Sequence, residues 1–432
     1  MATLGTNGRR VAIVAGVRTP FAKAGTALKS FTAIELGKLA VAELIQRANL
    51  SGKSVDAIVY GTVVPSVIAP NIAREISLMP MLPRGCEAYT VSRACASANQ
   101  AITDAADQII LGHHDVVIAG GAESLSNVPI LHSRSMSEKL VAMSRAKSSA
   151  QRLKILGSIR PRDLVPITPA IAEPSTGETM GQSAEKMAKI NHIPREEQDQ
   201  FALRSHRLAA VGTDDGRLTA EIMPVYVPPQ YETTLTSDNG IRTDTSIEQL
   251  RGLKPVFDRR YGTVTAGNSS PLTDGASAVL LMSEERAAMI GYTPLAFIRS
   301  YAYAALDPGE QLLMGPVLAA PVALKRAGLT LGDIDLIEMH EAFAAQVLCN
   351  LAGFVSREWA ERAGFVSPVG EVERSKLNVM GGSIAIGHPF GATGARILTT
   401  LTNELVRRGG QFGLMTVCAA GGMGHAMVIE RA

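Results

Sequence analysis

The chain has 432 residues, 46% of them hydrophobic and 40 of them glycine, which is typical of packed globular proteins and excludes a largely disordered chain. Lysine and arginine number 42 and aspartate and glutamate 40, so the basic excess of a dedicated nucleic-acid-binding protein is absent and we expect no nucleic-acid partner. The four cysteines have no zinc-ligand spacing, which favours a reducing compartment and no bound metal.

The first predicted element is a buried strand over Val11 to Val17. Its sequence, VAIVAGV, resembles the apolar part of a signal peptide, but Arg18 and Pro20 end the run too early for that function. Elsewhere the sequence contains no run of about twenty apolar residues, so no transmembrane helix is predicted.

Runs rich in valine and isoleucine then alternate with helical patterns, which predicts an α/β fold whose central strands are buried on both faces. The predicted elements are a helix with Leu36, Ala40 and Leu44 on one face, a strand over 57–64, a helix from Ala98 that stops at Gly112, and a strand over 115–121.

The C-terminal part repeats this order. Ile397, Leu398, Leu401 and Leu405 mark a helix, and the strand-like FGLMTVCAAGG follows it. Both this strand and the one over 115–121 end in Ala-Gly-Gly. The self-similarity indicates a duplicated α/β unit and not a short-period solenoid.

Between these parts, roughly over 133–246, the pattern loosens into loops, a charged helix and a proline-rich stretch, which predicts an inserted and mostly surface-exposed subdomain. Its segment 134–162 carries eight basic side chains and one acid, Glu138. Two interpretations stay open: a solvated helical face, or a docking surface for anionic lipid or a protein partner. The basic residues are Arg134, Lys139, Arg145, Lys147, Arg152, Lys154, Arg160 and Arg162.

Cys95, in SRACAS, lies among small residues just before the predicted helix from Ala98. A thiol at a helix start meets unpaired backbone N–H groups, which favour its thiolate form. A cysteine between small residues is also a common core residue, so a nucleophile and a buried filler are both compatible with the sequence.

Three further segments place a reactive side chain beside small residues near a strand end, as loops that form α/β active sites do. His388 in GGSIAIGHPFGATGAR is a candidate base for a thiol, although a structural histidine explains it equally well. Cys418 precedes a glycine-rich turn, and it too can be a core thiol. His340 is followed by Glu341, but Ala344 breaks the HExxH zinc motif, so no metal is expected there.

In their order along the chain, these segments resemble the thiolase family, which uses a nucleophilic cysteine, a histidine in a GHP motif and a second cysteine near the C-terminus. Further matching segments are VRTPFAKAG, AGGAES, EEQDQFALRSHRLA and GTVTAGNSSPLTDGASAVLLM, so the resemblance covers nearly the whole chain. It departs from many members at His340, where they have asparagine, and at Ala420, where they have glycine.

The resemblance implies a layered αβαβα fold and a reaction on 3-ketoacyl-CoA. Cys95 would attack the 3-keto carbon, His388 would take its proton, and Cys418 would protonate the acetyl-CoA enolate. His340 and His388 would donate to the enolate oxygen, whereas the backbone N–H groups of Cys95 and Ala420 would bind the tetrahedral oxyanion. Ser270 would contact the pantetheine arm of CoA, which is a co-substrate and not a prosthetic group.

By the same resemblance, residues 1–132 form the N-terminal half, completed by about 247–293, residues 133–246 form the inserted loop subdomain that binds CoA, and residues 294–432 form the C-terminal half. His340 with SANQAI, HSR and DNGIR is similar to the thiolase subunits of fatty-acid β-oxidation complexes. That similarity implies a homodimer or dimer of dimers, a hydratase/3-hydroxyacyl-CoA dehydrogenase partner, and docking or peripheral membrane contact through 134–162.

Two alternatives stay open, a biosynthetic acetoacetyl-CoA thiolase and a non-enzymatic thiolase-like scaffold subunit. A bacterial cytoplasmic protein is expected, with the mitochondrial matrix as the other compartment that fits.

Overall fold

The computed structural model describes residues 8–167 and 172–432. The strands are β1 (Val11–Arg18), β2 (Ala22–Lys23), β3 (Ala57–Gly61), β4 (Glu87–Val91), β5 (Val116–Glu123), β6 (Val225–Val227), β7 (Thr233–Leu235), β8 (Thr273–Ser283), β9 (Ala296–Ala305), β10 (Leu336–Met339), β11 (Phe412–Ala419) and β12 (Met423–Arg431). The helices are α1 (Ala33–Arg47), α2 (Ile72–Ser77), α3 (Ser97–Ile110), α4 (Arg134–Arg145), α5 (Ser149–Leu156), α6 (Met180–Ile190), α7 (Arg195–Asp214), α8 (Ile247–Arg251), α9 (Glu284–Met289), α10 (Gly315–Ala327), α11 (Ala344–Phe354), α12 (Arg357–Arg362), α13 (Ser383–Ile386) and α14 (Thr393–Arg408). Within the described ranges, no helix has the length and hydropathy needed to cross a membrane.

The chain divides into two compact units, one formed by Met1–Asn127 with Glu173–Ala432 and the other by Val128–Ala172. The smaller unit differs in extent from the predicted insertion over 133–246. Helices α6 and α7 of that insertion each bury a face in the core of the larger unit, and its proline-rich stretch forms the antiparallel pair β6 and β7. Residues 168–171 of the insertion lie outside the described residues, and the predicted boundaries of the two halves stay predictions.

Ten of the described strands form one mixed sheet, whose order is β10-β11-β12-β9-β1-β8-β5-β3-β4, with β2 paired to β8. The order β10-β11-β12-β9 repeats the order β3-β5-β8-β1. The pairing sense repeats as well, because β3–β5 and β10–β11 are parallel whereas the remaining pairs in each set are antiparallel. Each half therefore contains the same α/β motif, as the self-similarity of the sequence predicts.

Three hydrophobic cores separate five layers in the larger unit. One core packs α1 and α2 on the outer face of the N-terminal strands, and another packs α10 and α11 on the outer face of the C-terminal strands. The third core encloses α3 and α14 between the two groups of strands. This is the predicted αβαβα arrangement, and it places the starts of α3 and α14 in the middle of the protein.

Local sequence signals explain several element ends. Thr32 and Glu35 form a capping box that starts α1, and Gly112 follows α3 with a φ of +77° that a left-handed cap requires. Strand β3 ends at Gly61 and not at residue 64 as predicted. The backbone N–H groups of Val63 and Val64 donate to the buried Glu123 carboxylate, so they are unavailable to a continuing strand.

A fully buried arginine joins β1 to the segment that follows α7. Arg18 donates through its Nη atoms to both carboxylate oxygens of Asp238 at 2.6 and 2.9 Å, and through Nε to Glu221 at 2.9 Å. None of the three side chains is more than 1% exposed. Because buried charges are tolerated only when paired, this cluster fixes the two segments against each other.

We expect Arg18→Met to lower the free energy of unfolding by about 3–5 kcal/mol, because it leaves two carboxylates buried without their cation. The control Arg357→Met removes an exposed arginine that pairs with Glu361 on α12, and its effect should stay below about 1 kcal/mol. Urea denaturation followed by circular dichroism measures both. Equal effects of the two substitutions would contradict the stabilising role of the buried cluster.

Candidate active site

The starts of α3 and α14 meet in the central layer, and glycines make the close approach possible. A Cβ atom on Gly394, in the first turn of α14, would lie 2.2 Å from the Asn99 side-chain oxygen of α3. A Cβ on Gly121, at the end of β5, would lie 1.8 Å from the carbonyl oxygen of Gly391. Larger residues at these positions would push the two helix starts apart. Cys95 precedes α3, and the loop with His388 precedes α14.

His388 faces Cys95 across this junction. Its Nε2 atom lies 3.2 Å from the Cys95 sulfur, and its Nδ1 atom lies 2.6 Å from Oγ1 of Thr393. The Thr393 hydroxyl donates its single proton to the carbonyl oxygen of Pro389, so it accepts from His388. The Nδ1 atom therefore carries the proton, and the free lone pair of Nε2 points at the thiol.

His388 is buried and Cys95 is half-buried, and the loss of solvation around their side chains keeps both members of this pair uncharged. This loss raises the pKa of the Cys95 thiol to about 12 and lowers the pKa of His388 to about 3, with the guanidinium of Arg396 adding to the second effect. This result differs from the thiolate expected at a helix start. The N–H groups near the sulfur lower its pKa, but the loss of solvation outweighs them. The proton must therefore move from sulfur to Nε2 when the sulfur attacks.

The two predicted backbone donors lie at the sulfur. The backbone N–H groups of Cys95 and Ala420 are close enough to the Cys95 sulfur to lower the pKa of its thiol. Ala420 follows β11, and Gly421 and Gly422 come next with φ values of +83° and +67°. This glycine turn lets the chain reverse into β12 directly beside the thiol. Two convergent N–H groups are the arrangement that stabilises an oxyanion formed at a carbon bonded to this sulfur.

Cys418 is the second-to-last residue of β11 and is 1% exposed. Burial and the adjacent Cys95 raise the pKa of the Cys418 thiol well above its ordinary value. It therefore keeps its proton at neutral pH. The structure thus brings together both sulfur atoms and the His388 imidazole that the sequence analysis selected.

His340 completes the group. It follows β10 and is fully buried, and its ring centre lies 4.2 Å from that of His388. Its Nδ1 atom is 3.1 Å from Oγ of Ser383, whereas its Nε2 atom has no partner among the described residues. Burial, followed by the nearby His388 and Arg396, lowers the pKa of His340 well below its ordinary value, so this ring is also neutral.

Glu341 joins the end of β10 to α7 and to the segment around α13. Its carboxylate accepts from the Ser205 hydroxyl at 2.6 Å, from the Asn378 amide at 2.7 Å and from the backbone N–H of Ile384 at 3.3 Å. A Cβ on Gly382 would lie 2.3 Å from this carboxylate. The residue after His340 therefore holds the segment that leads to His388.

The ligand atoms of Cys95, His340 and His388 all lie within 4.8 Å of one another. Soft divalent cations can bind a thiol and two imidazoles as ligands. The 3.2 Å approach of His388 to the sulfur and the hydrogen bond that orients its ring match the geometry of a nucleophile and its base. Acid–base chemistry at the Cys95 sulfur thus explains why these three side chains lie together, and a metal ion is not required for it.

Ser270 is half-buried in the loop before β8. Its backbone N–H donates to the carbonyl oxygen of Ala342 at 3.0 Å, so this loop is attached two residues beyond His340. The backbone N–H of His388 donates to the Thr273 hydroxyl at 3.0 Å. The loop before β8 is therefore bonded to both histidine-bearing segments.

The sequence analysis did not identify four side chains that hold the site in place, namely Thr393, Ser383, Arg396 and Glu123. Thr393, Arg396, Thr400 and Glu404 recur at helical spacing beside the apolar face of α14, and this polar row within a buried helix is the signal that could have revealed the first of them. Glu123 accepts from the backbone N–H of Gly391, and burial raises its pKa to about 7.

Comparisons with known proteins agree with this geometry. Family models match over residues 11–285 (thiolase, N-terminal domain) and 292–431 (thiolase, C-terminal domain). A 3-ketoacyl-CoA thiolase of Pectobacterium carotovorum subsp. carotovorum (strain PC1) is 53% identical over 98% of this chain and 97% of the relative.

Two solved structures are similar over nearly the full chain. The acetyl-CoA acetyltransferase of Bacillus anthracis has a TM-score of 0.83 and 34% identity, covering 98% of this chain and 99% of that one. Human mitochondrial 3-ketoacyl-CoA thiolase in complex with CoA has a TM-score of 0.81 and 33% identity, covering 98% of each chain. The predicted fold class is thereby confirmed, and the chain belongs to the thiolase family.

Proposed function

We propose that the protein catalyses CoA-dependent thiolytic cleavage of 3-ketoacyl-CoA in fatty-acid β-oxidation, giving acetyl-CoA and an acyl-CoA shorter by two carbons. The observation that carries the proposal is the contact of Cys95 with an oriented, neutral His388 at 3.2 Å. The 53% identity to a 3-ketoacyl-CoA thiolase supports this substrate class, and the solved CoA complex supports CoA as the co-substrate.

The first step is attack by Cys95 on the 3-keto carbon. The sulfur forms a bond to this carbon while its proton passes to Nε2 of His388, and the carbonyl becomes a tetrahedral oxyanion. The N–H groups of Cys95 and Ala420 lie at the sulfur and donate to this oxygen. In a site without bulk water, one such donor contributes about 10²- to 10³-fold in rate.

Cleavage of the bond between carbons 2 and 3 follows. Its electron pair leaves as the enolate of acetyl-CoA, and the acyl group stays on Cys95 as a thioester. The enolate oxygen accepts from the side chains of His340 and the now protonated His388. The Cys418 thiol gives its proton to the enolate carbon, which completes acetyl-CoA.

Free CoA then regenerates the enzyme. Its sulfur attacks the acyl carbon while its proton passes to the Cys418 thiolate, and Cys95 leaves and recovers a proton from His388. The same groups catalyse the reverse condensation, because each proton transfer is reversible. Ser270 would contact the pantetheine arm of CoA. The hydrogen bond from its loop to the segment with His340 supports this role, because it keeps Ser270 near the reacting groups.

A biosynthetic acetoacetyl-CoA thiolase is the second candidate, and the fold similarity to an acetyl-CoA acetyltransferase favours it at 34% identity. The higher identity to a 3-ketoacyl-CoA thiolase gives the degradative reaction the stronger support. A scaffold without activity would not need the Cys95 thiol in contact with the His388 imidazole, nor the hydrogen bond from His388 to Thr393 that orients this ring.

We further propose that the unit Val128–Ala172 is the docking surface of a hydratase/dehydrogenase subunit, in a cytoplasmic complex built on a homodimer or dimer of dimers. Within this unit, the side chains of Ser133 and Ser148 cap the N-termini of α4 and α5. Leu153 is 70% exposed beside the basic side chains of the 134–162 segment. Size-exclusion chromatography with and without the partner tests this, and binding to anionic vesicles alone would favour the membrane alternative.

Two cysteine substitutions separate the proposed roles. Cys95→Ala should lower thiolysis of 3-ketoacyl-CoA by about 10⁴-fold or more, because the nucleophile is lost. Cys418→Ala should still form the acetyl thioester on Cys95 from acetyl-CoA, since this step needs no enolate and the proton that His388 takes from Cys95 is available to the leaving CoA sulfur. It should lose exchange of the acetyl-CoA methyl hydrogens with deuterium, because no thiol remains to move protons at the enolate carbon. Mass spectrometry measures both the thioester and the exchange.

The matched control is Cys86→Ala, which removes a buried thiol from the outer core and should keep thiolysis near the level of the unsubstituted protein. Substantial CoA-dependent cleavage by Cys95→Ala would exclude that residue as nucleophile. Cleavage of acetoacetyl-CoA without cleavage of longer 3-ketoacyl chains would replace the degradative function by the biosynthetic one.

The pH dependence of Cys95 alkylation should reflect the neutral pair. Because the pKa values of about 12 and about 3 leave both groups uncharged between these limits, the rate of reaction with iodoacetamide should be nearly constant from about pH 5 to 9. In His388→Asn the base is absent, so the rate should rise about tenfold per pH unit with the thiolate fraction. A sigmoidal rise with a midpoint near neutrality in the unsubstituted protein would show that Cys95 loses its proton to solvent with a pKa near 7, and would contradict the neutral pair.

A further inference from the structure

Three side chains form a hydrogen-bonded row that leads from the interior of α14 to the reacting centre. Arg396 is 1% exposed, and its Nη2 atom lies 3.0 Å from Oγ of Ser383. Oγ of Ser383 in turn lies 3.1 Å from Nδ1 of His340. The Glu338 carboxyl group lies 3.7 Å from Nη1 of Arg396, and burial raises the pKa of Glu338 to about 8. The proposed reaction uses only the last member of this row.

The direction of these hydrogen bonds follows from what each group can donate. A guanidinium has donors and no acceptor, so Arg396 donates to Ser383. The serine hydroxyl has one proton, and among the described residues Nδ1 of His340 is the acceptor within its reach. Ser383 therefore donates to Nδ1, and the proton of the neutral imidazole lies on Nε2.

The opposite tautomer would leave two buried groups unsatisfied. If Nδ1 of His340 carried the proton, the Ser383 hydroxyl would lose its acceptor within the described structure, and the buried Nε2 atom would present a lone pair where the enolate oxygen forms. A lone pair facing a developing negative charge is repulsive, whereas an N–H group stabilises it. The two neighbouring histidines thus need different tautomers, since His388 holds its proton on Nδ1 for Thr393.

We propose that Ser383 and Arg396 are positioning residues that hold His340 in its Nε2-protonated tautomer, so that a neutral imidazole 4.2 Å from the catalytic base acts as a hydrogen-bond donor to the enolate oxygen. The effect on the reaction rests on the proposed function. The tautomer itself does not, because it follows from the hydrogen bonds of the resting protein.

Spectroscopy of the unsubstituted protein is the first test. With histidine labelled by ¹⁵N, the resonances of His340 are assigned by their loss in His340→Asn. We expect a protonated Nε2 and an unprotonated Nδ1 for this ring, and a population with protonated Nδ1 in Ser383→Ala. A protonated Nδ1 in the unsubstituted protein, or an unchanged tautomer in Ser383→Ala, would overturn the proposal.

The second test compares the two half-reactions. Ser383→Ala should slow deuterium exchange into the methyl group of acetyl-CoA by about 10- to 100-fold, because the enolate loses a correctly set donor. Exchange of labelled CoA with acetyl-CoA through the acetyl thioester on Cys95 should change by less than about threefold, because that step uses the backbone donors at Cys95 and Ala420. Ser383→Thr keeps a hydroxyl and should restore most of the deuterium exchange.

Ser205→Ala is the matched control. It removes an equally buried hydroxyl that holds the same loop through Gly382 and Glu341 but contacts neither histidine. Any effect should fall equally on both exchange reactions, with the His340 tautomer unchanged. An equal loss of both half-reactions in Ser383→Ala would reduce Ser383 to a structural residue and overturn the proposal. Absence of both exchange reactions in the unsubstituted protein would overturn the proposed function instead, while the tautomer measurement would still decide the present proposal.

Discussion

The contact between an uncharged thiol and an uncharged imidazole in a nearly dry layer is the interaction on which the rest of the structure depends. Removal from water costs an ion far more than it costs a neutral pair, so the resting site holds Cys95 and His388 without charge. Charge then forms only as bonds to substrate form. The surrounding N–H groups are already oriented toward the positions where it appears, so little reorganisation is needed during the reaction.

The internal duplication explains how such a site is built. Each half has the same strand order, and in each a helix of the central layer leads into a buried strand, α3 into β5 and α14 into β11. The two helix starts meet, so one half carries the proposed nucleophile and the other carries the proposed base and the proposed donor histidine. Small residues at Gly121 and Gly394 allow this approach, because any side chain there would occupy space already taken by the partner segment.

His388 and His340 have different chemical roles because their Nδ1 atoms have different hydrogen-bond partners. Thr393 accepts from His388 and leaves its Nε2 as a base, whereas Ser383 donates to His340 and leaves its Nε2 as a donor. A hydroxyl can do either, and its choice is set by a third group, the Pro389 carbonyl in one case and the Arg396 guanidinium in the other. Because both rings are buried, water cannot replace these hydroxyl partners and change the tautomers.

The sequence alone determined the α/β class and the internal repeat, and it selected Cys95, His388, Cys418 and His340 as candidate site residues. It could do so because valine-rich runs and helical spacing are local properties, and because reactive side chains among glycines form recognisable segments in a fixed order. The predicted end of β3 was less accurate, because the true end depends on Glu123 in β5, which lies 60 positions later in the chain than Val63.

Only the tertiary structure decided the protonation states and the tautomers. A thiol at a helix start was expected to ionise, but the loss of solvation around the Cys95 sulfur, which no local pattern reports, reverses that preference. Likewise, Ser383 and Arg396 are close to His340 only because α13 and α14 pack near the end of β10. A hydrogen bond between residues 43 positions apart in the chain cannot be predicted from either segment alone. The sequence specifies which reactive groups are present, whereas packing determines their charge and the direction of their hydrogen bonds.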